Sequence, residues 1–169
     1  MIEIVTADIT TLAVDAIVTA ANGALRGGGG VDGAIHRAAG PQLLTELKLF
    51  PGCPTGDAVR TRAYELPVKY IIHAVGPVWY GGTKSEVALL TKAYENSFVR
   101  AIEAGDVKTI AFPAISTGAL RFPMPEATRI ALTAMLNHER EFERIVACVH
   151  DDDTAQLYRD GLVQLRRHR

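Results

Sequence analysis

Short runs of Val and Ile, which alternate along the chain with helical patterns, constrain the fold of this sequence more than any other feature. Each run is apolar at successive positions, so both faces of the corresponding strand are expected to be covered. This alternation predicts an α/β domain with three layers, in which helices cover both faces of a largely parallel or mixed sheet. The expected strands are Ile2–Thr6, Ala16–Ala20, 68–75, Thr109–Phe112 and 145–149, and the expected helices are 31–39, 85–104, 125–138 and 154–166.

Length and charge limit the architecture and the partners. The 169 residues suit one domain that spans 1–169. Lys and Arg number 18 against 19 for Asp and Glu, so no overall basic field attracts nucleic acid. No apolar run approaches the ~18 residues of a membrane span, and the segment MIEIVTADIT lacks the pattern of a signal peptide. We therefore expect a cytoplasmic protein, whose two cysteines match no zinc spacing and stay reduced.

A run of four glycines, Gly27 to Gly30, stands between an expected strand and an expected helix. Glycines let backbone N–H groups approach a ligand closely, and the following helix offers its free N–H groups and the positive end of its dipole. The segment therefore predicts a site for phosphate or diphosphate.

The same segment formally matches the dinucleotide fingerprint through Gly28, Gly30 and Gly33. The acidic residue that should bind ribose about 20 residues further on is missing, since Lys48 and Leu49 stand there. A nicotinamide-dinucleotide oxidoreductase is therefore an alternative that rests on the formal fingerprint alone.

Asp32 falls in the first turn of that helix, and His36 lies four residues later on the same face. A carboxylate there complements the helix dipole, but beside a bound diphosphate it would meet like charge. This conflict favours a functional role for Asp32. The pair has the chemistry to orient or activate a water, while an orienting or packing role for His36 stays open.

Two further polar segments follow expected strands. The loop FPAISTGALRFPMP offers hydroxyl groups, a glycine and backbone N–H groups at residues 116–118. Asp8 follows the first strand, where it either caps a turn or accepts a hydrogen bond from an adenine amino group. No G-x-S-x-G motif is present, which disfavours a serine hydrolase.

These motifs together resemble one family. The segments ADIT (7–10), DAIVTAAN (15–22), GGGGVDGAIHRAAGP (27–41), GCPTGDA (52–58), KYIIHAVGP (69–77) and PAISTGALRFP (113–123) are similar to macrodomains. The branch is the MacroD-type ADP-ribosyl hydrolases, also called O-acetyl-ADP-ribose deacetylases. The resemblance implies a three-layer α/β/α sandwich around a mixed, mostly parallel sheet of about six strands.

The resemblance also implies the ligand and its contacts. ADP-ribose would bind with its adenine at Asp8 and its diphosphate between the two loops, and His150 would stack on the adenine. The implied catalytic residues are Asn22, Asp32 and His36, with no metal and no cofactor. The implied ADP-ribose-binding residues are Asp8, Ile9, Asn22, Gly28, Gly29, Gly30, Val31, Asp32, Ser116, Thr117, Gly118, Ala119, Leu120, Arg121, Phe122 and His150.

The implied activity is removal of acyl-linked ADP-ribose by a water that Asp32 activates. Substrates would be O-acetyl-ADP-ribose and proteins mono-ADP-ribosylated on acidic side chains. Nucleic acid would be a partner only through ADP-ribosylated ends, and the protein would be a monomer. The alternative is a reader module that binds ADP-ribose without turnover.

Five residues depart from the pattern of this branch: Ala7, Thr19, Asp57, Leu120 and Arg121. Thr19 stands where the family usually has Asn, whose side chain would support the Asn22 loop, and Thr is shorter. Leu120 stands where the hydrolases often carry Tyr, and Arg121 replaces a small Gly. Thr19 and Leu120 favour the reader, whereas Asn22, Asp32 and the intact glycine run favour the enzyme.

Overall fold

The computed structural model describes residues 1–169 as a six-stranded sheet with helices on both faces. The strands are β1 (Ile2–Thr6), β2 (Ala16–Ala20), β3 (Ala58–Arg62), β4 (Tyr70–Ala74), β5 (Thr109–Phe112) and β6 (Arg144–Val149). The helices are α1 (Gly30–Ala39), α2 (Gln42–Leu47), α3 (Glu86–Ala104), α4 (Met124–His138) and α5 (Asp152–Arg167). Short 3₁₀ turns follow β1 and α4.

The strands lie in the order β1-β6-β5-β2-β4-β3, and all neighbours are parallel except β3, which runs antiparallel to β4. The mixed, mostly parallel sheet confirms the expected fold class. Because the central strands β5, β2 and β4 are mutually parallel, their carboxyl ends meet at one edge of the sheet. Ligands of such folds bind beyond that edge.

Two separate apolar clusters make the three layers. On one face, Leu90 of α3, Leu132 of α4 and Tyr158 of α5 pack with sheet residues such as Ile72. On the other face, α1 and α2 cover a second cluster that includes Ile17. Alternate residues of the central strands enter opposite clusters, which explains why these strands are apolar throughout.

Two elements had no expectation in the sequence. Helix α2 has only six residues, and it is held to the core by buried Leu43 and Leu47. Strand β3 lies at the edge of the sheet and carries Arg60 and Arg62, so its apolar signal is weak. Short or edge elements of this kind depend on tertiary packing more than on local pattern.

No helix combines the length and the apolar character needed to cross a membrane.

Candidate active site

A cleft of about 820 Å³ lies at the carboxyl ends of β2, β4 and β5. Its walls are the glycine loop, defined here as residues 21–30, and the β5–α4 loop, defined as residues 113–123. A recess of about 400 Å³ continues from it and shares Gly30, Val31, Pro113 and His150 with the cleft. The two spaces together form one continuous groove.

The glycine loop is positioned by the side chain of Asn22 and by close packing against helix α1. The Asn22 Nδ2 donates to the carbonyl oxygen of Gly27 at 2.7 Å. A Cβ atom at Gly33 would lie 2.5 Å from the carbonyl oxygen of Gly28, so helix α1 presses directly against the loop. The N–H groups of residues 28–32 donate to no backbone acceptor and are free for a ligand.

The β5–α4 loop is fixed from below by a buried phenol. Tyr94 of α3 is almost fully buried, and its Oη accepts a hydrogen bond from the backbone N–H of Ile115 at 3.1 Å. Burial raises the pKa of Tyr94 to about 12, so the phenol stays protonated. A Cβ atom at Gly76 would lie 2.1 Å from the Ser116 Oγ, so the segment after β4 also touches this loop.

The same loop is closed by its own backbone. The N–H of Phe122 donates to the carbonyl oxygen of Ser116 at 2.9 Å. The N–H of Trp79, in the segment after β4, donates to the carbonyl oxygen of Leu120 at 2.9 Å. The N–H groups of residues 117–120 have no backbone acceptor, so this wall mirrors the free N–H groups of the glycine loop. Two facing sets of N–H groups suit a diphosphate.

Asp32 lines the cleft in the first turn of α1, although it is 5% exposed. Its Oδ1 accepts a hydrogen bond from the Thr19 hydroxyl at 2.9 Å, and the His36 Nε2 lies 3.7 Å from the same oxygen. No protein group donates to Oδ2. Burial raises the pKa of Asp32 above its usual range, and the Thr19 hydrogen bond and His36 oppose that rise only in part.

A second histidine lies behind this pair. His73 of β4 is fully buried, and its ring centroid is 6.4 Å from that of His36. The His73 Nε2 lies 2.9 Å from the Thr61 Oγ1 of β3. Burial, with a smaller contribution from His36, lowers the pKa of His73 to about 3, so its ring is neutral.

The recess at the other end begins at Asp8. The Asp8 Oδ1 accepts hydrogen bonds from the N–H and the hydroxyl of Thr10, at 3.0 and 2.7 Å, and thereby caps a 3₁₀ turn. These bonds lower the pKa of Asp8, so its carboxylate is charged. Ile9 and Val31 supply apolar walls, and His150 stands at the junction with the cleft. The turn-capping role is therefore observed, while a contact with adenine stays a prediction.

Comparison with known proteins gives the family. The Macro domain model matches residues 18–131, which is more than half of the chain.

The chain belongs to the macro domain family.

Several relatives match it over nearly their whole length. A macro domain-containing protein of Mesorhizobium japonicum is 52% identical, with 98% of this chain and 96% of that protein covered. A Klebsiella pneumoniae protein named O-acetyl-ADP-ribose deacetylase is 50% identical, with 93% of each covered. The Oceanobacillus iheyensis macrodomain with ADP has a TM-score of 0.92 and 36% identity, over 99% of this chain and 93% of that one. The Trypanosoma brucei macrodomain in complex with ADP-ribose has a TM-score of 0.85 and 38% identity, over 94% and 68%.

The macrodomain cleft brings together most of the residues expected to bind ADP-ribose. Fourteen of the sixteen line the cleft or its recess: Asp8, Ile9, Asn22, Gly28, Gly29, Gly30, Val31, Asp32, Ser116, Thr117, Gly118, Ala119, Leu120 and His150. The other two lie outside. Phe122 is buried against Trp79, with ring centroids 4.8 Å apart, and Arg121 is exposed at φ +64°. His36 also lies behind the lining rather than in it.

Thr19 has a contact that its place in the sequence did not indicate. Its hydroxyl donates to the Asp32 carboxylate. Sequence reasoning also missed the roles of Tyr94, Gly76 and His73 around the macrodomain cleft. Only Gly76 carried a signal, because a Gly-Pro pair directly after an apolar strand marks a turn at the ligand edge of the sheet.

Proposed function

We propose that this macrodomain binds ADP-ribose and hydrolyses acyl groups from its terminal ribose. The substrates are O-acetyl-ADP-ribose and proteins that carry ADP-ribose on acidic side chains. The observation that carries the proposal is a buried carboxylate, Asp32, which opens onto a cleft between two sets of free N–H groups. Relatives about 50% identical over most of the chain are named O-acetyl-ADP-ribose deacetylase, which supports the same activity.

Binding follows from the shape and polarity of the groove. The N–H groups of residues 28–32 and 117–120 neutralise the diphosphate from two sides. The recess takes the adenine between apolar walls, with the free oxygen of Asp8 within reach of its amino group. The terminal ribose then lies toward Asn22 and Asp32. Asn22 arranges the glycine loop through Gly27 and retains an N–H for a ribose hydroxyl or the water.

The reaction is ester hydrolysis with Asp32 as the base or the group that orients the water. Oδ1 is held by Thr19, so Oδ2 accepts the proton as the water attacks the acyl carbonyl carbon. The tetrahedral intermediate collapses, the bond between the carbonyl carbon and the ribose oxygen breaks, and that oxygen takes the proton. The products are ADP-ribose and the free acid. Burial strengthens Asp32 as a base because it raises its pKa.

The experiment is release of ADP-ribose from O-acetyl-ADP-ribose in EDTA, with wild type and Asp32→Ala compared. We expect release that depends on Asp32, and calorimetry should show that both proteins bind ADP-ribose. Equal turnover by the variant would exclude the role of Asp32.

The second candidate is a reader that binds ADP-ribose without turnover. Leu120 favours it, because an aliphatic side chain at the cleft offers no hydroxyl to the ribose. Thr19 no longer argues for it, since Thr19 contacts the carboxylate itself. Binding without release from O-acetyl-ADP-ribose or an ADP-ribosylated peptide would identify a reader. Tighter binding of NAD than of ADP-ribose would instead indicate a dinucleotide enzyme.

A further inference from the structure

Three metal-ligand groups meet beneath the floor of the cleft. One oxygen of Asp32 and one ring nitrogen each of His36 and His73 all lie within 4.8 Å of one another. Asp32 and His36 are one turn apart on α1, and His73 approaches from β4. Two imidazoles and one carboxylate are a donor set that Zn²⁺ takes in proteins, with a fourth position left open.

The hydrogen bonds around His73 fix which of its nitrogens is available. The Thr61 hydroxyl donates its single proton to the carbonyl oxygen of Arg62 at 3.0 Å. Thr61 must therefore accept from His73 at the 2.9 Å contact, which places the ring proton on Nε2. The Nδ1 of His73 then carries a bare lone pair.

That lone pair is buried and has no hydrogen-bond partner in the protein. Buried polar atoms are almost always satisfied, so an orphan of this kind needs an explanation. His73 is fully buried, and its ring centroid lies 6.4 Å from that of His36. A bond to a cation that also holds His36 would satisfy it.

We propose that Asp32, His36 and His73 form a binding site for one Zn²⁺ ion, with the fourth position on the cleft side. Bonds of about 2.0–2.1 Å require neighbouring ligand atoms about 3.4 Å apart. The His36 Nε2 and the Asp32 Oδ1 are 3.7 Å apart, so a shift of a few tenths of an ångström by the partly exposed His36 ring would give this separation. Thr61 serves as the outer partner that sets the His73 tautomer, a recurring arrangement around metal-bound histidines.

The site goes beyond the proposed hydrolysis and has the opposite effect on it. Zn²⁺ on Oδ1 of Asp32 would withdraw charge from the carboxylate and so weaken Oδ2 as the base that accepts the proton from water. Zn²⁺ therefore inhibits ester hydrolysis, and EDTA restores it. Binding of Zn²⁺ is measured without any nucleotide, so the site and the proposed function stand or fall separately.

The test is competition for Zn²⁺ between a chromophoric chelator and the purified full chain, without ADP-ribose. We expect one Zn²⁺ per protein, and we expect a large loss of affinity in Asp32→Asn and His36→Gln. Thr61→Val leaves all three ligands in place but releases the His73 ring, so its affinity should fall about 10- to 100-fold. His168→Gln, which alters an exposed histidine at the end of α5, is the matched control and should bind as wild type does.

Co²⁺ provides a second measurement that needs no variant of buried His73. A four-coordinate site with nitrogen ligands gives wild type an intense visible band, which His36→Gln should lack. No stoichiometric Zn²⁺ binding, or binding kept in both Asp32→Asn and His36→Gln, would overturn the proposal. A loss in His168→Gln as large as in His36→Gln would overturn it too, because the ion would then bind at the surface.

Discussion

The Thr19 hydroxyl on β2 donates to the Asp32 carboxylate on α1 across 2.9 Å, and both side chains are buried. The bond joins the sheet to the first turn of the helix that follows the glycine loop. Water does not compete for it, so it fixes the rotation of the carboxylate about its own axis. The other oxygen, Oδ2, accepts no hydrogen bond from the protein and stays available to a water or a ligand.

Thr19→Val removes this donor while it keeps the shape of the side chain. Hydrogen bonds to charged groups contribute about 1.5–3 kcal/mol, so we expect kcat for O-acetyl-ADP-ribose to fall roughly 10- to 100-fold. The Thr19 bond lowers the pKa of Asp32, so its loss should also move the acidic limb of the pH–rate profile to higher pH. Thr19→Ser retains the hydroxyl and should keep both kcat and the limb close to wild type. An unchanged limb in Thr19→Val would contradict the assignment.

Asp32→Asn should raise the Tm at pH 7 while it abolishes turnover. The folded protein holds Asp32 with a raised pKa, so its charged form is less favourable there than in the unfolded chain. Stability is therefore fully present below the unfolded pKa, near 3.9, and is lost as the pH rises through the folded pKa. The neutral amide avoids this loss.

The check is calorimetry of both proteins in EDTA between pH 3 and pH 8. The excess Tm of Asp32→Asn should shrink as the pH falls toward the unfolded pKa. A variant less stable than wild type at pH 7 would show that the charged carboxylate stabilises the fold.

Gly76→Ala should weaken ADP-ribose binding more than it weakens the fold. The added methyl would lie 2.1 Å from the Ser116 Oγ and 2.6 Å from an Ile115 methyl, so the β5–α4 loop must move. We expect the dissociation constant for ADP-ribose, measured by calorimetry, to rise at least tenfold. Adding Ser116→Gly removes one of the two clashes and should recover part of the affinity. No recovery at all would mean that the loop does not transmit the effect.

Tyr94→Phe should lower both stability and ADP-ribose affinity. It leaves the N–H of Ile115 buried without its acceptor, which costs about 1–3 kcal/mol and several degrees of Tm. Tyr70→Phe is the matched control, because it also removes a phenol hydrogen bond, but one to Asp106 at the surface. The two variants should differ clearly in thermal unfolding. Equal losses would show that the buried bond carries no special weight.

Local features of the sequence were enough to find one wall of the site. The four glycines and the helix that begins among them are contiguous, so their chemistry can be inferred from the order of the residues alone. Asp32 stood out because its charge conflicts with a diphosphate site. These expectations depended on neighbours within about one helical turn, and in the structure Gly28, Gly29, Gly30 and Asp32 line the cleft.

Contacts between distant segments were beyond the sequence. Nothing in the order of residues shows that Thr19 meets Asp32, that His73 approaches His36, or that Tyr94 supports a loop some twenty positions later. Phe122 illustrates the same limit in reverse. Its position in the loop matches that of an aromatic residue that contacts the ligand in the family. In this protein its ring is buried and packs against Trp79.

The backbone bond between Trp79 and Leu120 has a mechanical consequence. It connects the segment after β4 to the β5–α4 loop, so we expect this wall of the cleft to move as one rigid unit. The opposite wall includes four residues without side chains, Gly27 to Gly30, whose carbonyl oxygens accept hydrogen bonds from Asn22 at Gly27 and from the N–H of Gly33 at Gly29. We therefore expect the cleft to adjust to acyl groups of different bulk mainly through the glycine loop. The β5–α4 loop then provides the fixed wall against which the ester is held.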